Sequence, residues 1–202
     1  INLANNNSLA NITALPSSIS GGAMTLLATQ TASGSANLSF TSGIDDTYDS
    51  YVFKFYNIHP ATDNVQFLFN MSSDSGSNYN VTKTTTYFLA EHNATGGSAN
   101  LSYQSAKDLA QSTDFQKLMT DLGNAADENL SGYLTIYNPS STTFVKNFMS
   151  RTNAQAYSAT NISFDNYIAG YGNTTSAVDA IQFKMSSGTF DGVIKLYGIK
   201  DS

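Results

Sequence analysis

Cysteine is absent from this chain of 202 residues. Its absence excludes a disulfide framework, a thiolate metal site and a cysteine nucleophile, and it leaves the redox compartment undetermined. Long apolar runs are absent as well, because no stretch approaches the roughly 18 residues that mark a membrane-spanning helix. Residues 1–7 lack the basic and apolar regions of a signal peptide. We therefore expect a soluble chain, with no membrane partner, that is not exported by that route.

Charged side chains are scarce. Asp, Glu, Lys and Arg make up 12 % of the sequence, against roughly 25 % in typical soluble domains, and neutral polar residues take their place. The nine Lys and Arg residues are scattered singly among 15 Asp and Glu, for a net charge of −6. Nucleic-acid binding depends on clustered cations. The composition therefore excludes nucleic acid as the main ligand.

Histidine is almost as scarce, and its two copies, His59 and His92, lie far apart in the chain. A zinc site needs three or four ligands, so we interpret both as turn or surface residues. No Gly-x-Ser-x-Gly motif is present, which argues against a serine hydrolase with a nucleophile elbow. The sequence thus predicts no catalytic residue, no cofactor and no metal ligand. An enzyme, such as a glycoside hydrolase built on two loop carboxylates, is the least favoured hypothesis.

Calcium is the ion that the loops suit best. Asp45, Asp46 and Asp49 form one group of carboxylates, and Asp74 with Asn78 offers a second set of oxygen ligands. Neither matches the Asp-x-Asp/Asn-x-Asp/Asn-Gly pattern of a calcium-binding loop. We favour turn capping over Ca²⁺ binding as the role of these side chains.

Strand patterns dominate what is present. In residues 180–185 every second side chain is apolar, and residues 193–199 repeat the alternation. Only a strand places alternate side chains on one face. Gly188 and Gly192 between the two segments tolerate positive φ, so the sequence predicts that these two strands form a hairpin.

Similar short segments fill the rest of the chain. Residues 51–58 are apolar on both faces and predict a central strand. Residues 115–122 fit either a helical stripe or a strand, and we favour the strand. Ten or more short strands separated by turn residues predict an all-β fold, an antiparallel β-sandwich of jelly-roll type, formed by residues 23–202 as one domain.

Residues 1–22 fit neither a helix nor a strand pattern, and they are rich in Asn and Ser. We interpret them as an extended N-terminal arm that lies against its own domain or against a neighbouring subunit. A disordered terminus is the alternative. The spaced apolar residues that would form an inter-subunit contact are Leu3, Leu9, Ile12, Leu15 and Ile19.

Several segments together resemble the uncharacterised structural proteins of tailed bacteriophages, many of them from marine phages. The segments that carry the resemblance are residues 48–51 (YDSY), 57–64 (NIHPATDN), 73–79 (SDSGSNY), 130–132 (LSG), 138–140 (NPS), 186–188 (SSG) and 196–198 (LYG). The resemblance spans most of the chain. It implies a virion component with a β-sandwich or jelly-roll core, and it supplies no catalytic motif.

Two functions follow as hypotheses. The first is a non-enzymatic virion protein that forms a homo-oligomer, with a trimer favoured, and that decorates the head or belongs to a tail fibre or baseplate. Low charge supports it, because neutral polar surfaces cost less to desolvate in an interface. The alternative is a host-recognition adhesin that binds surface glycans through exposed aromatic rings. The candidate glycan contacts are Tyr79, Tyr103, Tyr157 and Tyr167, which would otherwise fill the rim of the sandwich or a subunit interface.

Overall fold

A computed structural model describes residues 24–97, 99–157 and 161–200, and within these ranges the chain forms twelve β-strands and no helix. The predicted all-β class is confirmed, while the predicted arm at residues 1–22 lies outside the described residues. The strands are β1 (Met24–Ser35), β2 (Asn37–Phe40), β3 (Ser50–Pro60), β4 (Val65–Ser72), β5 (Lys83–Asn93), β6 (Ala99–Tyr103), β7 (Gln116–Leu122), β8 (Leu130–Tyr137), β9 (Lys146–Ala156), β10 (Ile162–Gly172), β11 (Ala180–Met185) and β12 (Phe190–Ile199).

Ladder hydrogen bonds connect the strands in two antiparallel runs. The long run has the order β1-β12-β3-β8-β9-β10-β5-β6, and the short run has the order β7-β4-β11-β2. A bridge between Leu122 and Ala156 joins the runs on one side. On the other side the Gln30 side-chain amide donates to the Ser39 carbonyl at 2.8 Å and links β1 to β2. The result is one nearly closed, barrel-like antiparallel sheet.

An aromatic core lies between the two runs. The ring centroid of Phe183 in β11 is 5.2 Å from the centroids of both Phe53 and Phe55 in β3. Phe69 in β4 and Phe148 in β9 make a second contact between the runs, at 5.0 Å. All five rings are buried. Since burying a phenylalanine side chain contributes about 1.5–3 kcal/mol, these rings hold the two runs together.

The predicted hairpin of the last two strands is wrong in its pairing, although both strands form. β11 pairs with β2 and β4, whereas β12 pairs with β1 and β3. Gly188 and Gly192 adopt the positive φ that was expected, 73° and 134°. The two strands belong to different runs: Phe190 of β12 packs across the core against Phe67 of β4, the strand that pairs with β11, with ring centroids 6.1 Å apart.

Two other strand predictions are confirmed. Residues 115–122, which fitted either a helix or a strand, contain β7. β3 is a central strand, paired with β12 on one edge and with β8 on the other, and it ends at Pro60. Proline suits that position because it has no N–H to donate to a ladder.

A buried lysine occupies the start of β5. Lys83 is fully buried, and its ammonium donates to the Asn70 side-chain oxygen at 2.6 Å and to the Val81 carbonyl at 2.7 Å. The Asn70 amide in turn donates to the carbonyls of Tyr79 and Thr113. Desolvation disfavours the charged ammonium and lowers the pKa of Lys83 from 10.5 to about 7. The hydrogen bonds tie this end of β5 to β4.

Candidate functional site

The outer face of the long run carries a row of large side chains on five neighbouring strands. Strand register places Tyr133 opposite Arg151, Arg151 opposite Tyr167, Tyr167 opposite Phe88, and Phe88 opposite Tyr103. We call these five residues the aromatic row. Successive side chains of a strand point to opposite faces of the sheet. In β9 Arg151 is exposed while Ser150 and Thr152 on either side of it are buried, so the row lies on the face away from the core.

The four rings of the row are unusually accessible to solvent. Tyr103, Tyr133 and Phe88 are 47 %, 43 % and 43 % exposed, and Tyr167 is 39 % exposed. Phe88 and Tyr103 make an edge-to-face contact with centroids 5.1 Å apart. A single exposed apolar residue needs no explanation, but a contiguous patch of rings indicates a surface for binding.

Arg151 forms a polar cluster between Tyr133 and Tyr167 of the row. Its Nη2 lies 2.6 Å from Oδ2 of Asp165 and its Nε lies 3.0 Å from Oδ1, so the pair is bidentate. The Tyr167 hydroxyl donates to the same carboxylate at 3.0 Å, and the guanidinium carbon lies 4.8 Å from the Tyr167 ring centroid. Hydrogen bonds from Arg151 lower the pKa of Asp165 and raise the pKa of Arg151 itself. These contacts fix the polar groups beside the rings.

Three adjoining depressions lie along β9 and β10 beneath these side chains. The central one, about 330 Å³, is walled by Tyr133, Met149 and Tyr167. A second of about 340 Å³ reaches Tyr171 and shares Met149, and a third of about 310 Å³ reaches Asn153 and shares Tyr133. Small residues on β10 and β5, such as Ala169, leave space between the large side chains that form the walls. We call these three depressions together the trough.

The structure brings together two of the four tyrosines that the sequence suggested as glycan contacts. Tyr103 and Tyr167 both lie in the aromatic row. Tyr157 follows the end of β9, is 50 % exposed and donates its N–H to the Asp121 carbonyl at 2.6 Å, outside the row. Tyr79 lies in the β4–β5 loop with its hydroxyl enclosed, and that hydroxyl has no hydrogen-bond partner among the described residues. Sequence reasoning missed Phe88, Tyr133 and Arg151, although the alternation of β5 and β8 signals that the first two face outward.

Two of the side chains considered for metal binding, Asp74 and His59, make contacts within the protein. Asp74 accepts hydrogen bonds from the Asn78 backbone N–H at 2.9 Å and from the Ser72 hydroxyl at 2.6 Å, which lower the pKa of Asp74 to about 2. Asp74 thus makes the turn-capping contacts that the sequence predicted. His59 places Nδ1 2.6 Å from the Glu128 carbonyl. In residues 24–97, 99–157 and 161–200, no three His, Cys, Asp or Glu side chains are grouped so as to hold a metal ion.

Comparison with known proteins identifies no relative. No protein-family model matches the chain, and neither does any curated protein or any solved structure. Within the described part of the chain, no helix is long and apolar enough to cross a membrane.

Proposed function

We propose that this chain is a non-enzymatic surface module of a bacteriophage virion, and that it recognises host glycans as a tail-fibre adhesin does. The observation that carries glycan recognition is the aromatic row, with its four exposed rings in one register across β8, β10, β5 and β6. Location in a virion rests on the resemblance of the sequence to phage structural proteins. A purely structural role, in head decoration, a tail fibre or a baseplate, is the alternative.

The chemistry of the row suits a sugar. The apolar face of a pyranose packs against an aromatic ring, while its hydroxyls need hydrogen-bonding groups held at the rim. The bidentate contact between Arg151 and Asp165 supplies such groups in a fixed position. Asn153 adds an amide at the edge of the trough.

As a finer description of the fold, we infer a β-sandwich of jelly-roll type. In an eight-stranded jelly roll the first strand pairs with the last and the second with the next to last. When β1, β12 and the hairpin β9–β10 are set aside, eight strands remain. The first, β2, then pairs with the last, β11, and the second, β3, pairs with the next to last, β8. In this description β9–β10 is an insertion beside β8, and it carries the centre of the candidate site.

Assembly is part of the same proposal. We expect a homo-oligomer, with a trimer favoured, in which the apolar residues of the N-terminal arm contact a neighbouring subunit or another virion protein. The low charge of the chain supports this because burying neutral polar surfaces in an interface costs little desolvation free energy. Light scattering on the full chain, and on a full-length variant with Leu9, Ile12 and Leu15 changed to Asn, tests the assembly. A trimer that dissociates in the variant is the expected result, and an unchanged mass would exclude the arm as the contact.

Glycan recognition is tested by screening the labelled full chain against an array of bacterial surface polysaccharides. We expect binding that Tyr167→Ala weakens by about fivefold or more, since stacking on one ring contributes about 1 kcal/mol or more. Tyr157→Ala is the matched control, because Tyr157 is also exposed but lies outside the row. The absence of binding to any polysaccharide by the folded, assembled wild type would reject the adhesin and favour the structural role.

A further inference from the structure

The aromatic row continues beyond Tyr133 onto two more strands. Register places Lys54 of β3 opposite Tyr133, and Lys195 of β12 opposite Lys54. Seven side chains on seven neighbouring strands therefore form one line, which we call the extended row. With a spacing of about 4.8 Å between strands, the line is about 29 Å long, enough to contact a chain of several sugars.

The two lysines form a positive patch without carboxylate partners. The ion pairs among the described residues are Lys107 with Asp121 and Arg151 with Asp165, so neither Lys54 nor Lys195 is neutralised by one. Each ammonium instead lies 5.5 Å from a tyrosine ring centroid, that of Tyr197 for Lys54 and that of Tyr56 for Lys195. The outward-facing neighbours of the two lysines along β3 and β12 are uncharged, namely Val52, Tyr56, Val193 and Tyr197.

This patch is an exception in an acidic protein. The chain has a net charge of −6 and only nine Lys and Arg residues. Two of these, Lys83 and Lys146, are buried. Arg151, also in the row, is neutralised by Asp165. The free positive charge of the row is therefore concentrated at one end, beside Tyr133, while the other end is aromatic.

We propose that the extended row binds an anionic polysaccharide that carries carboxylate groups, as uronic-acid sugars do. The pyranose faces pack on Tyr133, Tyr167 and Phe88, and a sugar carboxylate interacts with Lys54 and Lys195. Ammonium groups attract a carboxylate directly, and here no carboxylate of the described residues competes for them. This inference rests on the proposed glycan recognition and adds the charge of the ligand to it. A nucleic acid fits less well because two free cations and a net negative chain give little attraction for a phosphate backbone.

The test uses one polymer in two charge states. The full chain is titrated with polygalacturonate and with the same polymer after methyl esterification of its carboxyl groups, at about 20 mM and about 200 mM NaCl. We expect the free carboxylate form to bind about tenfold tighter at low salt, and the difference to shrink at high salt because exposed charges are screened. Equal binding of both forms would overturn the inference while leaving glycan recognition intact.

Variants separate the two ends of the row. The double variant Lys54→Gln, Lys195→Gln should lose the preference for the carboxylate form and keep its binding of the ester. Tyr167→Ala should weaken the binding of both forms. Lys184→Gln is the matched control, because Lys184 also lies over a ring, that of Phe115, but belongs to the short run. Circular dichroism and the melting temperature show whether each variant is folded.

Other outcomes are equally decisive. An affinity for the carboxylate form that Tyr167→Ala leaves unchanged would place the ligand on the lysines alone and reject the row. Displacement of the polymer by a single-stranded oligonucleotide at lower concentration would favour a nucleic acid. Failure of both polymers to bind overturns the inference, whereas the proposed adhesin function fails only if the polysaccharide array is also negative. A mass that doubles with concentration, and that Tyr167→Ala returns to its value at low concentration, would show that a second copy covers this face and would overturn the inference.

Discussion

Replacement of Lys83 by methionine should change how the stability of the protein depends on pH. The ammonium of Lys83 is fully buried at the start of β5, and desolvation lowers its pKa from 10.5 to about 7. Asp114 opposes this shift through its negative charge. Methionine is similar in length and carries no charge, so Lys83→Met removes the titration and keeps most of the packing.

The sign and size of the effect follow from proton binding. Between about pH 7 and pH 10.5 the unfolded chain holds a proton on Lys83 that the folded chain has lost. The free energy of unfolding of the wild type should therefore rise with pH across this window, by at most about 1.4 kcal/mol per pH unit. Below about pH 7 the lysine is charged in both states, and the fold carries the full cost of the buried ammonium. The variant lacks this rise.

Urea unfolding followed by far-ultraviolet circular dichroism measures the effect, at pH values from about 6.5 to about 10. The quantity of interest is the free energy of unfolding of the wild type minus that of Lys83→Met, because the contributions of the other titrating groups cancel in this difference. We expect this difference to increase by about 2 kcal/mol or more as the pH is raised over this range. Lys200→Met, at an exposed position, should show a constant difference. A constant difference for Lys83→Met as well would refute the reasoning and show that Asn70 and Val81 stabilise the ammonium as well as water does.

Two further predictions concern the core and the close approach of strands. Phe183→Ala should lower the free energy of unfolding by about 3–5 kcal/mol, because Phe183 is fully buried in the core. Phe144→Ala, at an exposed position, is the control and should change it by less than about 0.5 kcal/mol. Similar urea midpoints for the two variants would contradict the assigned core. Gly132→Ala should destabilise strongly, because its new Cβ would lie 2.3 Å from a backbone carbonyl oxygen of the neighbouring strand. Gly97→Ala, whose Cβ would have its nearest neighbour at 3.5 Å, is the control, and a melting temperature for Gly132→Ala equal to that of the control would reject this account.

The strands were predictable from the sequence because each buries one face. In β11 the buried residues Ile181, Phe183 and Met185 alternate with partly exposed ones, and the same alternation is visible in the bare sequence. The pairing of the strands was not predictable in the same way. Alternation determines which face of a strand is buried, but it contains no information on which strand lies at each edge. This is why the expected pairing of β11 with β12 was wrong.

The candidate site was predictable only in part, for a related reason. Exposed tyrosines near turns can be picked out from the sequence, and Tyr103 and Tyr167 were found in this way. Arg151 had no signal of its own, because its place in the row depends on the register of β9 against β8 and β10. Tyr79 shows the opposite error, since a tyrosine in a polar loop can still turn its hydroxyl inward.

The alternation of β9 has a consequence for how this protein can change. Its inward residues, such as Phe148, pack against the core, while its outward residues Met149, Arg151 and Asn153 line the trough. Substitutions at the outward positions leave the core contacts in place, so the surface can diversify at little cost in folding. A library randomised at these three positions should therefore keep most members folded while sampling many surfaces. Core packing and the outer surface thus depend on alternate residues of one segment.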